Sequence, residues 1–157
     1  MYAKTSLHNI VHDLHSGKVE CSWHYIHTDL GPVCIGNFYR PPGAADEIIS
    51  SLTEELQEHA ERCIGTIIIG DFNIHHRKWL KHSNANSNIG AVLQNISQEF
   101  ALLQCVHEPT RGKYLLDLVL SDFPSKIRVL PMNADHNAVL ACFDLQMPAT
   151  RKIIRRG

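Results

Sequence analysis

Four consecutive residues, Thr66-Ile67-Ile68-Ile69, run directly into Gly70-Asp71-Phe72-Asn73, and this junction constrains the chain more than any other stretch. Side chains branched at Cβ are crowded in a helix and fit a pleated, buried surface, so the run predicts a buried strand. Gly70 ends it. A carboxylate and an amide then follow two residues apart. On an extended backbone, residues i and i+2 share a face, which directs Asp71 and Asn73 into one pocket at the strand's end. The first can accept a proton and the second can hold an oxyanion. A Gly-Asp pair after a strand is also an ordinary turn. The junction therefore becomes a site only where other segments bring partners to it.

Around this strand the sequence alternates β and α patterns. Lys18 to His27 and Val33 to Tyr39 read as strands, with Gly31-Pro32 as the turn between them. Arg40-Pro41-Pro42-Gly43 breaks the sheet pattern. A helix is predicted from Ala44 to Arg62, with Ile48, Ile49, Leu52, Leu56 and Ala60 as its apolar stripe. Asp46 and Glu47 lie in its first turn, where the macrodipole favours them, and Glu54, Glu55, Glu58 and Glu61 read as its solvated face. A second helix is predicted from Ser87 to Phe100, on Ile89, Leu93, Ile96 and Phe100. Leu115 to Leu120, Ile127 to Leu130 and Ala138 to Phe143 read as strands. Strands mixed with two helices at this spacing predict a layered α/β or α+β domain.

With 157 residues the chain matches one domain, expected over 1–145, followed by a basic tail or linker over 146–157. No apolar run approaches the roughly 18 residues of a membrane span, and the N-terminus lacks the apolar core of a secretory signal. The five cysteines, Cys21, Cys34, Cys63, Cys105 and Cys142, are odd in number, widely spaced and free of C-x-x-C pairs. They read as reduced thiols of a nuclear or cytoplasmic protein rather than a zinc site or disulfide framework. A net charge of −1 argues against a generally basic nucleic-acid binder. A local basic cluster is nonetheless present: His75, His76, Arg77, Lys78, Lys81 and His82 follow the Asp71 junction closely. It reads either as a solvated loop or as a nucleic-acid contact. His8, His12, His15, His24 and His27 form no defensible ligand set.

Three further islands stand out. Tyr39 closes a strand before the rigid Arg40-Pro41-Pro42 corner; its phenol can donate to a phosphate oxygen, or serve as an ordinary strand-end aromatic. Thr110-Arg111 precede Leu115-Leu116-Asp117-Leu118-Val119-Leu120, where Asp117 interrupts an apolar strand. A buried carboxylate there needs a partner; on an alternating strand it can also face solvent. Asp135-His136 lie just before the last strand, and a carboxylate beside an imidazole can bind a metal or pass a proton.

In this order, these islands resemble the endonuclease/exonuclease/phosphatase superfamily, whose fold is like pancreatic deoxyribonuclease, and especially the endonuclease domains of non-LTR retrotransposons. Tyr39-Arg40-Pro41-Pro42, Gly70-Asp71-Phe72-Asn73 with His76 and Trp79, Leu116-Asp117-Leu118-Val119-Leu120 and Asp135-His136 carry the resemblance. It extends from Tyr2 to about Asp144. It implies a four-layer sandwich of two packed mixed sheets with helices outside, and a DNA endonuclease that hydrolyses phosphodiesters with Mg²⁺ or Mn²⁺. It implies that Asp71 positions or deprotonates water and that Asn73 and Tyr39 bind the phosphate. Asp135 would help hold the metal, Asp117 would orient His136, and Thr110 would support the phosphate side. Arg40, His76, Arg77, Lys78, Lys81 and Arg111 become nucleic-acid-binding candidates. The tail, Thr150 to Arg156, is similar to the basic segment that joins such domains to a fused reverse transcriptase.

Two departures qualify the expectation. The family's early asparagine block and its metal-binding glutamate block belong upstream of Tyr2, so the chain reads as the C-terminal two-thirds of the domain, lacking N-terminal strands. Glu20 falls in the wrong block and reads as a strand-surface carboxylate. Ala134 stands where a serine usually precedes the Asp-His pair. The alternatives are therefore a non-catalytic nucleic-acid-binding remnant, or a phosphodiesterase of the same fold acting on small phosphoesters.

Overall fold

The computed structural model describes residues 10–13 and 20–146; the Tyr2 segment and the basic tail from Thr150 to Arg156 lie outside the described residues. Six strands form one mixed sheet: β1 (Ile10–Asp13), β2 (Glu20–Thr28), β3 (Gly31–Tyr39), β4 (Gly65–Asp71), β5 (Leu103–Gln104) and β6 (Asp117–Ser121). Their spatial order is β1-β2-β3-β4-β6-β5. A separate antiparallel pair joins β7 (Ser125–Leu130) to β8 (Ala138–Phe143). Within the large sheet only β3 and β4 are parallel. A parallel pair needs a crossover, and α1 (Glu47–Ala60) supplies it; α2 (Asn88–Glu99) follows β4.

The apolar stripes of both helices bury against one face of the large sheet. Ile49, Leu52 and Leu56 of α1 and Ile89, Leu93 and Ile96 of α2 join Trp23, Cys34, Phe38 and Ile68 in a single core. The opposite face carries Ile26, Ile35, Ile67 and Ile69 toward the hairpin, whose Val139, Ala141 and Phe143 face back. Packing there is incomplete, and a cleft of about 570 Å³ runs between the two sheets. Asp71, Asp117 and Asn137 lie among its lining residues.

The class is α/β with two packed sheets. Among the described residues there are three layers, because both helices cover the same side of the large sheet. The expected Ser87 helix start is accurate: Ser87 caps α2, its Oγ accepting the Gly90 N–H at 3.1 Å. The expected Gly31-Pro32 turn is displaced to Asp29-Leu30, because Thr28 Oγ1 donates to the Gly31 carbonyl at 2.7 Å and closes the turn earlier. Pro32 then sits opposite His27 inside the ladder, its carbonyl accepting the Ile64 N–H at 2.8 Å. The solvated-face reading of α1 fails at Glu55. That carboxylate is buried and accepts the Trp23 indole N–H at 3.0 Å, which offsets its desolvation. The two-residue β5 is too short to leave a periodic pattern. All five cysteines are unbonded thiols, and burial pushes the Cys21 thiol up to about 12.

Candidate active site

The site starts from Gly70. Its φ is +154°, and a Cβ placed there would lie 1.7 Å from the Phe38 carbonyl oxygen. Only glycine permits so close an approach of β4 to β3. The resulting register pairs Phe38 with Gly70 and Tyr39 with Asp71. Because Glu20 pairs with Tyr39 and Asp71 with Asp117, these four side chains stand in one row across β2, β3, β4 and β6. Residues opposite each other in a sheet share a face, so the row lies on the cleft side.

Asp71, Asp117 and His136 bring ligand atoms within 4.8 Å of one another. His136 Nδ1 lies 2.8 Å from Asp117 Oδ2, and both side chains are about a quarter exposed. Burial, then the neighbouring Asp117 charge, raises the Asp71 carboxyl above its ordinary value; His136 and the bond from Asn73 oppose the shift. Two carboxylates held side by side repel, and a divalent cation between them would relieve that repulsion. Oxygen donors with one imidazole fit Mg²⁺ or Mn²⁺ chemistry. The donor set therefore fits the implied metal.

Asn73 reaches the site by a different route from the one its spacing suggests. The chain leaves β4 after Asp71, and Asn73 adopts a left-handed backbone with φ +49°. Strand alternation does not govern its direction. Instead its N–H donates to Asp71 Oδ1 at 3.2 Å, and its side-chain amide donates to the Arg40 carbonyl at 2.9 Å. Between them Phe72 is buried against Phe38, with ring centroids 4.7 Å apart. The loop is thus pinned by an aromatic on one side while its two polar residues turn toward the β3 corner.

Other expected site residues divide by exposure. Tyr39 is exposed at the end of β3, beside Asp71. Arg40 is only 5% exposed, with its guanidinium donating to the Asn73 and Ala44 carbonyls. It clamps the corner rather than facing a ligand. His76 is also 5% exposed and heads a helical turn, its carbonyl accepting from Trp79 and Leu80. Trp79 ties that turn to α2 through its indole N–H and the Gly90 carbonyl, at 3.1 Å. Arg77, Lys78 and Lys81 are exposed on the same loop.

Thr110 is fully buried. Its hydroxyl accepts the N–H groups of Leu116 and Asp117, each at 3.0 Å, and so fixes the start of β6. Asp135 does not join the Asp71–Asp117–His136 cluster. It is 71% exposed and pairs with Arg111 at 3.0 Å. Sequence reasoning passed over Asn137, whose N–H donates to the Thr110 carbonyl at 2.7 Å. That bond ties the His136 loop to the Thr110 segment that fixes the start of β6. Its only sequence signal is a hydrogen-bonding residue directly after Asp-His. The row itself was equally hidden, since register is a property of pairing.

Comparison with known proteins places the chain by family and fold. The family model described as endonuclease-reverse transcriptase matches residues 33–140. Among solved structures, the chain is similar to the endonuclease domain of TRAS1, a telomere-specific non-LTR retrotransposon. The TM-score is 0.69 at 18% identity, over 88% of this chain and 71% of that one. It is also similar to a variant of the 3′ phosphatase NExo from Neisseria, bound to product DNA hairpin. There the TM-score is 0.66 at 16% identity, over 87% of this chain and 71% of that one. None of the curated proteins matches the chain.

Proposed function

Because the chain belongs to the endonuclease-reverse transcriptase family of the endonuclease/exonuclease/phosphatase fold, we propose that it hydrolyses phosphodiester bonds of DNA with Mg²⁺ or Mn²⁺. The observation that carries this reading is the Asp71–Asp117–His136 cluster at the mouth of the cleft. A divalent cation held by carboxylates of this cluster would supply Lewis-acid polarisation of a phosphoryl oxygen. Asp71 accepts a proton from the attacking water, and its raised carboxyl makes it a better base than a free aspartate. Asp117 orients the His136 ring, leaving Nε2 to meet the scissile phosphate. The second side-chain N–H of Asn73 and the Tyr39 phenol are donors for phosphate oxygens.

Thr110 acts through the backbone, by fixing Asp117. Asp135 is the further carboxylate of this proposal. Its bond to Arg111 is solvent-exposed, and such pairs contribute little, so Asp135 is free to exchange partners. Arg77, Lys78, Lys81 and Arg111 neutralise DNA phosphates along the rim. Arg40 and His76 support that rim from within. In a longer polypeptide the partner domain is a reverse transcriptase, working in the nucleus or cytoplasm, where free thiols persist. No described helix is long and apolar enough to cross a membrane.

Nicking of supercoiled plasmid is the test. The wild type is expected to nick only with Mg²⁺ or Mn²⁺, and Asp71→Ala or His136→Ala to slow it by roughly 100-fold or more. Equal nicking by all three proteins would mean contamination and end the proposal. Salt-sensitive DNA binding without nicking is the outcome expected of the second reading, a non-catalytic binding remnant, which the exposed Arg77, Lys78 and Lys81 favour. Small phosphoesters assayed alongside separate DNA from the remaining substrate class of this fold.

A further inference from the structure

A tight hairpin precedes Asp117. Arg111 and Tyr114 form an isolated antiparallel bridge, with Gly112 at φ +55° making the turn. The backbone of Tyr114 is fully engaged. Its N–H donates to the Arg111 carbonyl at 2.9 Å, and its own carbonyl accepts from Thr110 at 2.8 Å and from Arg111 at 2.9 Å. The ring is not engaged in the same way. It is half-buried, and its hydroxyl makes no hydrogen bond among the described residues.

Against this ring stands His75, with centroids 5.1 Å apart and the planes at 76°. Tyr114 is only half-buried, so part of its ring stays accessible beside His75. His75 is itself held firmly. Its carbonyl accepts from the Ser87 hydroxyl at 2.7 Å and from the Ser87 N–H at 3.1 Å. Its Nδ1 is buried without a partner, and burial pushes the imidazole below its ordinary value. The Lys113 ammonium lies 5.4 Å from the Tyr114 centroid.

These rings are close to the reacting groups along the chain. Tyr114 precedes Asp117 by three residues, at most roughly 10 Å of backbone, and His75 follows Asn73 by two. We propose that Tyr114, braced by His75, is a stacking platform for an unstacked base beside the scissile phosphate, with Lys113 contacting the adjoining phosphate. The inference rests on the DNA reading of the same site and narrows it, to a strand with a nucleotide that can leave its stack. Aromatic stacking of this kind is tolerant of base identity. It therefore fits a preference for single-stranded or locally opened DNA over closed duplex.

The probe is a short single-stranded DNA with 2-aminopurine placed at each position in turn, bound in EDTA so that no turnover occurs. Wild type and Tyr114→Phe should quench the probe at one or two adjacent positions. Tyr114→Leu, which keeps apolar bulk for packing, should lose the quench and bind roughly 5- to 100-fold more weakly. An abasic site at the quenched position should weaken wild-type binding and leave Tyr114→Leu unchanged. A merely structural tyrosine would not produce that coupling. If Tyr114→Leu binds as tightly as wild type, or no position is quenched, the platform is overturned while the cleavage proposal stands. If the coupling is present but His136→Ala still nicks plasmid normally, the catalytic reading falls and the platform stands.

Discussion

On one face of the six-stranded sheet, Trp23, Phe38 and Ile68 are sealed beneath α1 and α2. On the other, Ile26 and Ile35 stay half-buried above a cleft of about 570 Å³, and among the described residues a two-stranded hairpin approaches them. The same strands feed both faces, since successive residues of β3 and β4 point in opposite directions. Stability is therefore concentrated on the helix side. The cleft side carries the groups that tolerate poor packing and need access: Asp71 and Asp117, a like-charged cross-strand pair that destabilises the sheet it sits in.

The largest expected effect breaks both faces together. Gly70→Ala forces a Cβ into the Phe38 carbonyl and separates β3 from β4. A loss of at least about 4 kcal/mol is expected in urea unfolding, or failure to fold, read by circular dichroism; an unchanged midpoint would show that the strands can part without cost. A pair of truncations then weighs one face against the other. Leu52→Ala, beneath the helices, should cost about 2–5 kcal/mol. Ile35→Ala, over the cleft, should cost about 1 kcal/mol because the side chain is already partly wet. Similar losses at both positions would erase the asymmetry.

The smallest effect has the opposite sign. Burial and Asp117 raise the folded-state carboxyl of Asp71 above its unfolded value. A raised acid withdraws stability as pH climbs through the ordinary carboxylate range and past the folded value. Asp71→Asn cannot carry that charge. In EDTA it should melt a few degrees above wild type at neutral pH, and the gap should close in acid. A variant that melts below wild type at neutral pH would place Asp71 among the stabilising residues. Functional sites commonly trade stability for chemistry in this manner.

Local pattern made the strands and helices legible, because apolar periodicity and turn chemistry act over a few residues. Ser87 could be read as a helix start, and β8 from Ala138 to Phe143 emerges with its expected bounds. Glu55 was misread because its partner Trp23 is 32 residues away, although its i+3 spacing from Leu52 puts it at the edge of the apolar stripe, unlike the exposed Glu54 or Glu58. The residue types Asp71, Asp117 and His136 were visible as islands, and only pairing in space makes them a cluster. Arg40 and His76 show the reverse failure. A charged or imidazole side chain near a site suggests a ligand contact, yet both are consumed by the loops that shape it.

The row Glu20–Tyr39–Asp71–Asp117 has a consequence for how molecules of this protein can be counted. A strand that slips by one residue exchanges its two faces. Slippage of β4 alone would send Asp71 into the helix side and, on the role proposed for it, leave its neighbours without a base. A misregistered sheet of nearly normal secondary structure would then be chemically silent. Under the proposed activity, the fraction of active molecules in a preparation of this domain would measure the fraction with correctly aligned strands, a distinction that circular dichroism does not make.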